Sequence, residues 1–284
     1  MFPLNRDKIL FISLLFAATL SVISLCCILL FLFVESLPVL TTLNVEKYFV
    51  DESWHPTEGE FFLLPMILGS VYMMIGAMLL SVPLGIMSAI LCQYYAPRWF
   101  AIMFQRVTEI LAGIPSVVYG FWGIMIIVPL LASIQAPGTS LLAGILVLTL
   151  IVMPNITLIA YHTFQQVSPS QTQNAIALGL SRYSIIRHII FPQAKQGLLT
   201  GTILQSGRAI GETLAVLMVC GNVVQIPTNL FEPVRTLTSN IALEMAYAMD
   251  THRSALFLSG FLLMLVVLLL VYLADKGQMK QPIS

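Results

Sequence analysis

Long charge-free apolar stretches alternate along the chain with short segments that hold nearly all of its polar and charged residues. Residues 9–34 carry no charge. A helix needs about 20 mostly apolar residues to cross a bilayer, so this stretch predicts a first spanning helix. It is too long for the apolar core of a signal peptide, which runs to about 7–15 residues. The charge-free interval between Glu60 and Arg98 predicts a second helix over about 65–94. A longer one, from Glu109 to Arg182, has room for two, divided by the turn Gln135-Ala136-Pro137-Gly138 into about 115–133 and 139–162. Further spans are predicted over about 197–224 and 254–274. The pattern describes an all-α polytopic membrane protein with six transmembrane helices. Residues 1–284 read as a single transmembrane domain, without an internal repeat or a linker.

Composition removes the soluble alternatives. The 284 residues are 58% hydrophobic and 9% charged, with a mean hydropathy of +0.93, whereas soluble domains carry about 25% charged residues. Soluble enzymes and nucleic-acid binders are excluded on that ground. Formal net charge is zero, but its distribution is uneven. With the N-terminus inside, the inner segments hold Arg6, Lys8, Arg98, Arg106, Arg182, Arg187, Lys195, Lys276 and Lys280, and the outer ones only Lys47, Arg235 and Arg253. That bias predicts cytoplasmic termini. The first outer loop carries Glu35, Glu46, Asp51, Glu52, Glu58 and Glu60 and is long enough for a small folded element. Cys26, Cys27, Cys92 and Cys220 lie in apolar runs with no CxxC spacing or nearby histidine, and read as apolar side chains rather than disulfide or metal ligands.

The segment between His162 and Gly197 changes character. Ser168-Pro169-Ser170 signals a helix start, and the run from Gln173 to Gly179 ends on glycine, as helices often do. A second short run, Tyr183 to Phe191, interleaves basic and apolar residues and is expected to stop at Pro192. Such a knob, apolar on one face and basic on the other, suits either an anionic membrane surface or a partner protein.

Charge inside the spans is confined to the fifth, which reads Gly207-Arg208-Ala209-Ile210-Gly211-Glu212-Thr213. A charge at the bilayer centre costs about 2.5–3.5 kcal/mol on insertion scales. The i, i+4 spacing of Arg208 and Glu212 sets them one turn apart on one face. They are then either a mutually neutralised pair that joins helices or the lining of a substrate path. Arginine offers an oxyanion a fixed charge and a planar donor fork. A neighbouring carboxylate accepts the proton of monohydrogen phosphate, which sulfate lacks. Gly197/Gly201 and Gly207/Gly211 predict close approach of a neighbouring helix. At the start of the third span, Arg106 and Glu109 precede Gly113-Ile114-Pro115-Ser116. This is either a membrane-entry kink with an i, i+3 ion pair, or a place where backbone N–H groups at a helix start meet an anion.

Three segments carry a family resemblance. The loop resembles the ATPase-coupling loop of bacterial ABC importer permeases: Ala175, Gly179, Ile189 and Pro192 fall where that pattern has them, while Gln173 replaces its glutamate, Asn174 its first alanine and Phe191 its leucine. With it, Gly113-Ile-Pro-Ser-Val-Val-Tyr-Gly120 and Gly207-Arg-Ala-Ile-Gly-Glu-Thr213 resemble the permease of the bacterial phosphate-specific ABC importer, the C subunit more than its A partner. The resemblance implies a type I importer permease fold and an inner-membrane location. It implies a heterodimer with a homologous permease, two ATPase subunits that use ATP and Mg, and a periplasmic phosphate-binding protein. Membrane lipid surrounds such a chain, which binds no nucleic acid and no cofactor of its own. Arg208, Glu212 and Thr213 would line the path, with Glu109 and Ser116 as further candidates; Gln173, Ala175, Gly179, Arg182, Ile189 and Pro192 would form the coupling loop. A permease for sulfate, molybdate or phosphonate, and a channel or membrane enzyme acting alone, are the competing readings. The sequence has no Walker A, HExxH or GxSxG motif.

Overall fold

The computed structural model describes residues 4–42 and 53–278; Glu46, Lys47, Asp51, Glu52 and Lys280, counted above, lie outside them. A long first helix, α1 (Leu4–Thr42), leads to a two-stranded hairpin, β1 (Trp54–His55) and β2 (Glu60–Phe61), with Trp54 opposite Phe61. Then come α2 (Leu64–Tyr95), α3 (Arg98–Gly113), α4 (Ser116–Ala132) and α5 (Leu141–Gln165). Two short helices follow, α6 (Pro169–Ala177) and α7 (Arg182–Ile185), before α8 (Phe191–Ile210), α9 (Leu214–Val219), α10 (Leu237–Glu244) and α11 (Asp250–Gln278).

Among the described residues, α1, α2, α5 and α11 are long and apolar enough to cross a membrane. The pair α3 and α4, bent by 94°, makes a fifth span if it is counted as one. The helix expected over 197–224 is not continuous. It begins earlier, at Phe191, stops at Ile210, resumes at Leu214 and ends at Val219. Pro192 does not stop the preceding run either. A π turn over Ile186–Ile190 connects α7 to α8, closed by the Phe191 N–H on the Ile186 carbonyl. The same device recurs at Ala96 on Leu91 and Val128 on Gly123, and a proline follows in every case: Pro97, Pro129 and Pro192. Proline has no N–H and crowds the carbonyl four residues back. At Pro129 and Pro192 a turn widened to i→i+5 just before the proline lets the helix run on, whereas at Ala96–Pro97 the backbone becomes extended and α2 ends.

The core lies between α2 and α5, which pack along their lengths. Met73 and Ala77 of α2 meet Val147, Leu148 and Val152 of α5, with Val216 and Val219 of α9 completing the layer. α1 packs on α11, where the Phe31 and Phe257 rings stand edge to face at 5.4 Å. Elsewhere α1 exposes Phe11, Phe16 and Leu30. Apolar exposure on this scale marks contact with lipid or another chain. Cys92 and Cys220 are buried, Cys26 and Cys27 exposed, and all four are free.

After α9 the chain doubles back. Carbonyls of Leu230 and Glu232 accept the first N–H groups of α5, from Leu142 and Leu141, each at 2.8 Å, which caps orphan donors of that helix. Glu232 accepts the Thr228 N–H and hydroxyl, and these hydrogen bonds hold its carboxyl below the usual carboxylate range. The hairpin and α10 close this end of the bundle around Trp54, Phe61, Met66, Leu237 and Leu256. Beside them Glu244, 7% exposed, accepts Trp54 Nε1–H at 2.8 Å and Arg235 Nη1–H at 2.7 Å, and meets His252 Nε2 at 2.8 Å. One carboxylate thus ties the hairpin, the returning loop and α11 together. Glu244→Gln places an amide donor among three donors, and one hydrogen bond to a charged group is worth about 1.5–3 kcal/mol. The purified protein is expected to melt several degrees lower. An unchanged melting temperature would show that the network does not hold this end.

Candidate functional site

The segment that carries Arg208 and Glu212 is where the helix breaks. α8 caps at Gly211 (φ −84°, ψ −5°), and Thr213 (φ −115°, ψ −65°) precedes α9. Two contacts hold the break open. The Glu212 N–H reaches the Ala209 carbonyl at 3.3 Å, and the Glu212 carbonyl accepts Thr238 Oγ1–H at 3.0 Å. Thr238 is buried just inside α10, whose first N–H, from Leu237, is taken by Ser70 of α2. The break is therefore set by residues far along the chain.

Its consequence is electrostatic. An i, i+4 ion pair requires an unbroken turn, and among the described residues Arg208 and Glu212 form none. Arg208 is exposed and donates Nη1–H to Asn155 Oδ1 of α5 at 3.4 Å. Glu212 is half-buried, and its carboxylate has no hydrogen bond or ion pair among the described residues. Thr213 Oγ1 donates to the Gly211 carbonyl at 3.2 Å. The neutralised pair is not realised; a cation and an anion stand separately at the broken end of α8.

α9 lies against α4 in parallel. A Cβ on Gly120 would stand 2.7 Å from the Ala215 Cα, and one on Gly123 would stand 3.0 Å from Val219. Ser116 is half-buried and opens α4 behind Pro115. The corner before it is tied by Tyr119, whose hydroxyl donates to the Leu111 carbonyl at 2.9 Å. Of the two readings of this corner, the one with an Arg106–Glu109 ion pair is not formed among the described residues: Glu109 is exposed and accepts Gln105 Nε2–H at 3.0 Å. Of the small-residue pairs, the first approaches α5, where a Cβ on Gly197 would stand 2.6 Å from Thr163 Cγ2. Gly207 and Gly211 meet no neighbouring helix so closely; Gly211 ends α8 instead.

The loop between α5 and α8 forms a compact knob. α6 begins after Ser168 and buries Ala175. Gly179 turns the chain at φ +77°, a conformation costly for a residue with a Cβ. Ala175, Ile185 and Ile190 join Ala89 of α2, Phe164 of α5 and Ala194 of α8 in one apolar cluster, with Ile189 packed on its edge. Arg182 Nη1 donates to the Tyr94 carbonyl at the end of α2, at 3.1 Å, where a cation also suits the helix dipole. Gln171 and Gln193 tie α6 to α8. Gln173 and Pro192 are exposed, and Leu178 and Ile176 present apolar side chains outward, 81% and 61% exposed.

Asn155 and Thr238 are the site residues that sequence reasoning missed. Asn155 left a trace, as the one amide in the charge-free stretch 141–161, directly behind Pro154. Thr238 left none, because its role depends on a loop that returns to the break.

Residues 81–277 match the family described as the binding-protein-dependent transport system inner membrane component. The chain is 37% identical over 240 residues to the probable ABC transporter permease protein YqgH of Bacillus subtilis, covering 81% of this chain and 78% of that one. It is 31% identical to the phosphate transport system permease protein PstC of Mesorhizobium japonicum, covering 91% of this chain and 85% of that one. Its fold is similar to a chain of a bacterial ABC transporter involved in importing the acidic polysaccharide alginate, with a TM-score of 0.68, 12% identity and 98% of both chains covered. Charge-free spans, a broken polar helix and a compact knob between α5 and α8 are thus set on the fold of an importer permease, and the chain belongs to the binding-protein-dependent transport system inner membrane component family.

Proposed function

We propose that the chain is the permease subunit of an ATP-driven importer that conducts inorganic phosphate from periplasm to cytoplasm, with Arg208 and Glu212 lining the path. The observation that carries this reading is the exposed Arg208 guanidinium standing without an acid at the broken end of α8. An ionisable residue deep in a membrane segment is expensive and marks a polar path. The fork of N–H donors suits the oxygens of a tetrahedral anion. Glu212 repels a fully deprotonated oxyanion but accepts the proton of monohydrogen phosphate, and Thr213 and Ser116 add hydroxyls on the approach. Glu109 lies on α3, before the corner that leads to Ser116. The phosphate transport role named for the Mesorhizobium relative supports the substrate.

A homologous permease completes the path, a periplasmic phosphate-binding protein delivers the substrate, and two ATPase subunits hydrolyse ATP with Mg. The excess of Lys and Arg on alternate loops supports both termini, and the knob, facing the cytoplasm. There Gln173, Ala175, Gly179, Arg182, Ile189 and Pro192 receive the ATPase. Because the knob shares one apolar cluster with the ends of α2, α5 and α8, its displacement moves α8 and the break as a body, turning the path from one face of the membrane to the other.

Glu212→Gln keeps an acceptor oxygen but removes its charge. A hydrogen bond to a charged group is worth about 1.5–3 kcal/mol, so phosphate uptake is expected to fall roughly tenfold to a hundredfold at equal levels of assembled complex. Full uptake by this variant, measured with labelled phosphate in cells lacking other phosphate importers, would remove Glu212 from the path.

A further inference from the structure

We propose that Asn155 is a positioning residue of the path, holding the Arg208 guanidinium in place without cancelling its charge; the inference rests on the reading of Arg208 given above. Asn155 sits mid-helix in α5, half-buried behind Pro154. Its Nδ2 donates to the Ile151 carbonyl at 3.1 Å, one turn back along the same helix. That bond fixes the amide and turns Oδ1 toward α8, where it accepts Arg208 Nη1–H at 3.4 Å. α5 is the most enclosed long helix of the bundle, with 61% of its most apolar stretch buried. A long, rotamer-rich side chain is thereby tethered to a rigid support, which lowers the ordering cost of meeting an anion.

The chemistry of the tether matters more than its presence. A guanidinium has five N–H donors, and giving one to an amide oxygen leaves four, with the positive charge intact. A carboxylate at position 155 would take the same hydrogen bond more strongly, but would neutralise the guanidinium and repel an arriving anion. No acid occupies that place: Arg208 makes no ion pair among the described residues, and Glu212 lies beyond the helix break. An amide is the acceptor that orients the cation while leaving it attractive to phosphate.

The test compares Asn155→Ser, Asn155→Asp and Arg208→Ala in the full importer. Initial rates of labelled-phosphate uptake are read against the amount of assembled complex. Serine satisfies the Ile151 carbonyl as helical serines do but is too short to reach the guanidinium, so Asn155→Ser, with a neutral but untethered site, is expected to lose only about threefold in uptake per complex. Asn155→Asp, although closest in shape to asparagine, is expected to fall about tenfold or more, toward the Arg208→Ala level, with the complex still assembled. A merely structural Asn155, needed only as a donor to the Ile151 carbonyl, gives losses that follow the amount of complex and leave uptake per complex unchanged in both variants, and that result overturns the proposal. Full uptake by Asn155→Asp together with loss in Arg208→Ala also overturns it, while leaving the role of Arg208 standing. Full uptake by Arg208→Ala would instead bring down the reading on which the proposal rests.

Discussion

Replacing Arg208 by alanine is expected to cut labelled-phosphate uptake by about a hundredfold or more, with the importer still assembled at its normal level. The magnitude follows from what the residue is asked to do. Removing one partner of a desolvated, hydrogen-bonded charge contact costs about 2–5 kcal/mol, and each 1.4 kcal/mol is a factor of ten. Stability pulls the other way. Arg208 makes no ion pair among the described residues and one long hydrogen bond, so its loss leaves no buried charge stranded, and a charge removed from a membrane segment relieves an insertion cost. The fold should therefore tolerate the change while transport does not. Arg208→Lys keeps the charge but loses the planar fork, and is expected to fall between the two. Normal uptake by Arg208→Ala would show that the cation at the break is structural.

Replacing Gly179 by valine should uncouple the knob from the membrane helices. Gly179 turns at φ +77°, and a Cβ there would touch nothing within 4 Å; the obstacle is the backbone conformation. An L-residue in the left-handed region costs about 1–2 kcal/mol, more when β-branched. The chain relieves that strain by shifting α6 against α7. Ala175 then leaves the cluster it shares with α2, α5 and α8, and the knob no longer moves with the break. About 2 kcal/mol corresponds to roughly 30-fold in uptake. The transmembrane helices, which Gly179 does not contact, keep their packing. Gly179→Asn, a side chain that adopts the left-handed region readily, should recover most of the loss. Valine and asparagine variants that transport equally well would remove the joint from the account.

How much of this was legible depends on how local each feature is. The helices α2, α5 and α11 follow from charge-free apolar length, which membrane burial requires of each segment by itself. The turn at Gly179 and the start of α6 at Pro169 follow from single residues with strong backbone preferences. The break at Gly211–Thr213 is different. Gly207 and Gly211 were visible, but they read as helix-packing surfaces, and apolar residues continue on both sides. What opens the helix there is Thr238 on the Glu212 carbonyl, with α10 held in turn by Ser70. Losing the Arg208–Glu212 pair and gaining Arg208–Asn155 are both results of that tertiary contact. Pro192 misled for the opposite reason: the rule that proline ends a helix is local, and a π turn just before it evades the rule. α3 was overlooked because its Arg98, Arg106 and Glu109 placed it among the loops, although these residues alternate with an apolar face that includes Trp99, Met103 and Val107. Local spacing sets Arg208 and Glu212 one turn apart, and only the contact at the break separates them.

The most direct test of the central claim is uptake of labelled phosphate and labelled sulfate, side by side, in cells that depend on this chain for oxyanion import. Phosphate is expected to enter in an ATP-dependent manner, to require the ATPase and binding-protein partners, and to stop when Arg208 is replaced by alanine, while sulfate does not enter. Sulfate entry without phosphate entry, or phosphate entry that persists without the ATPase, would contradict it.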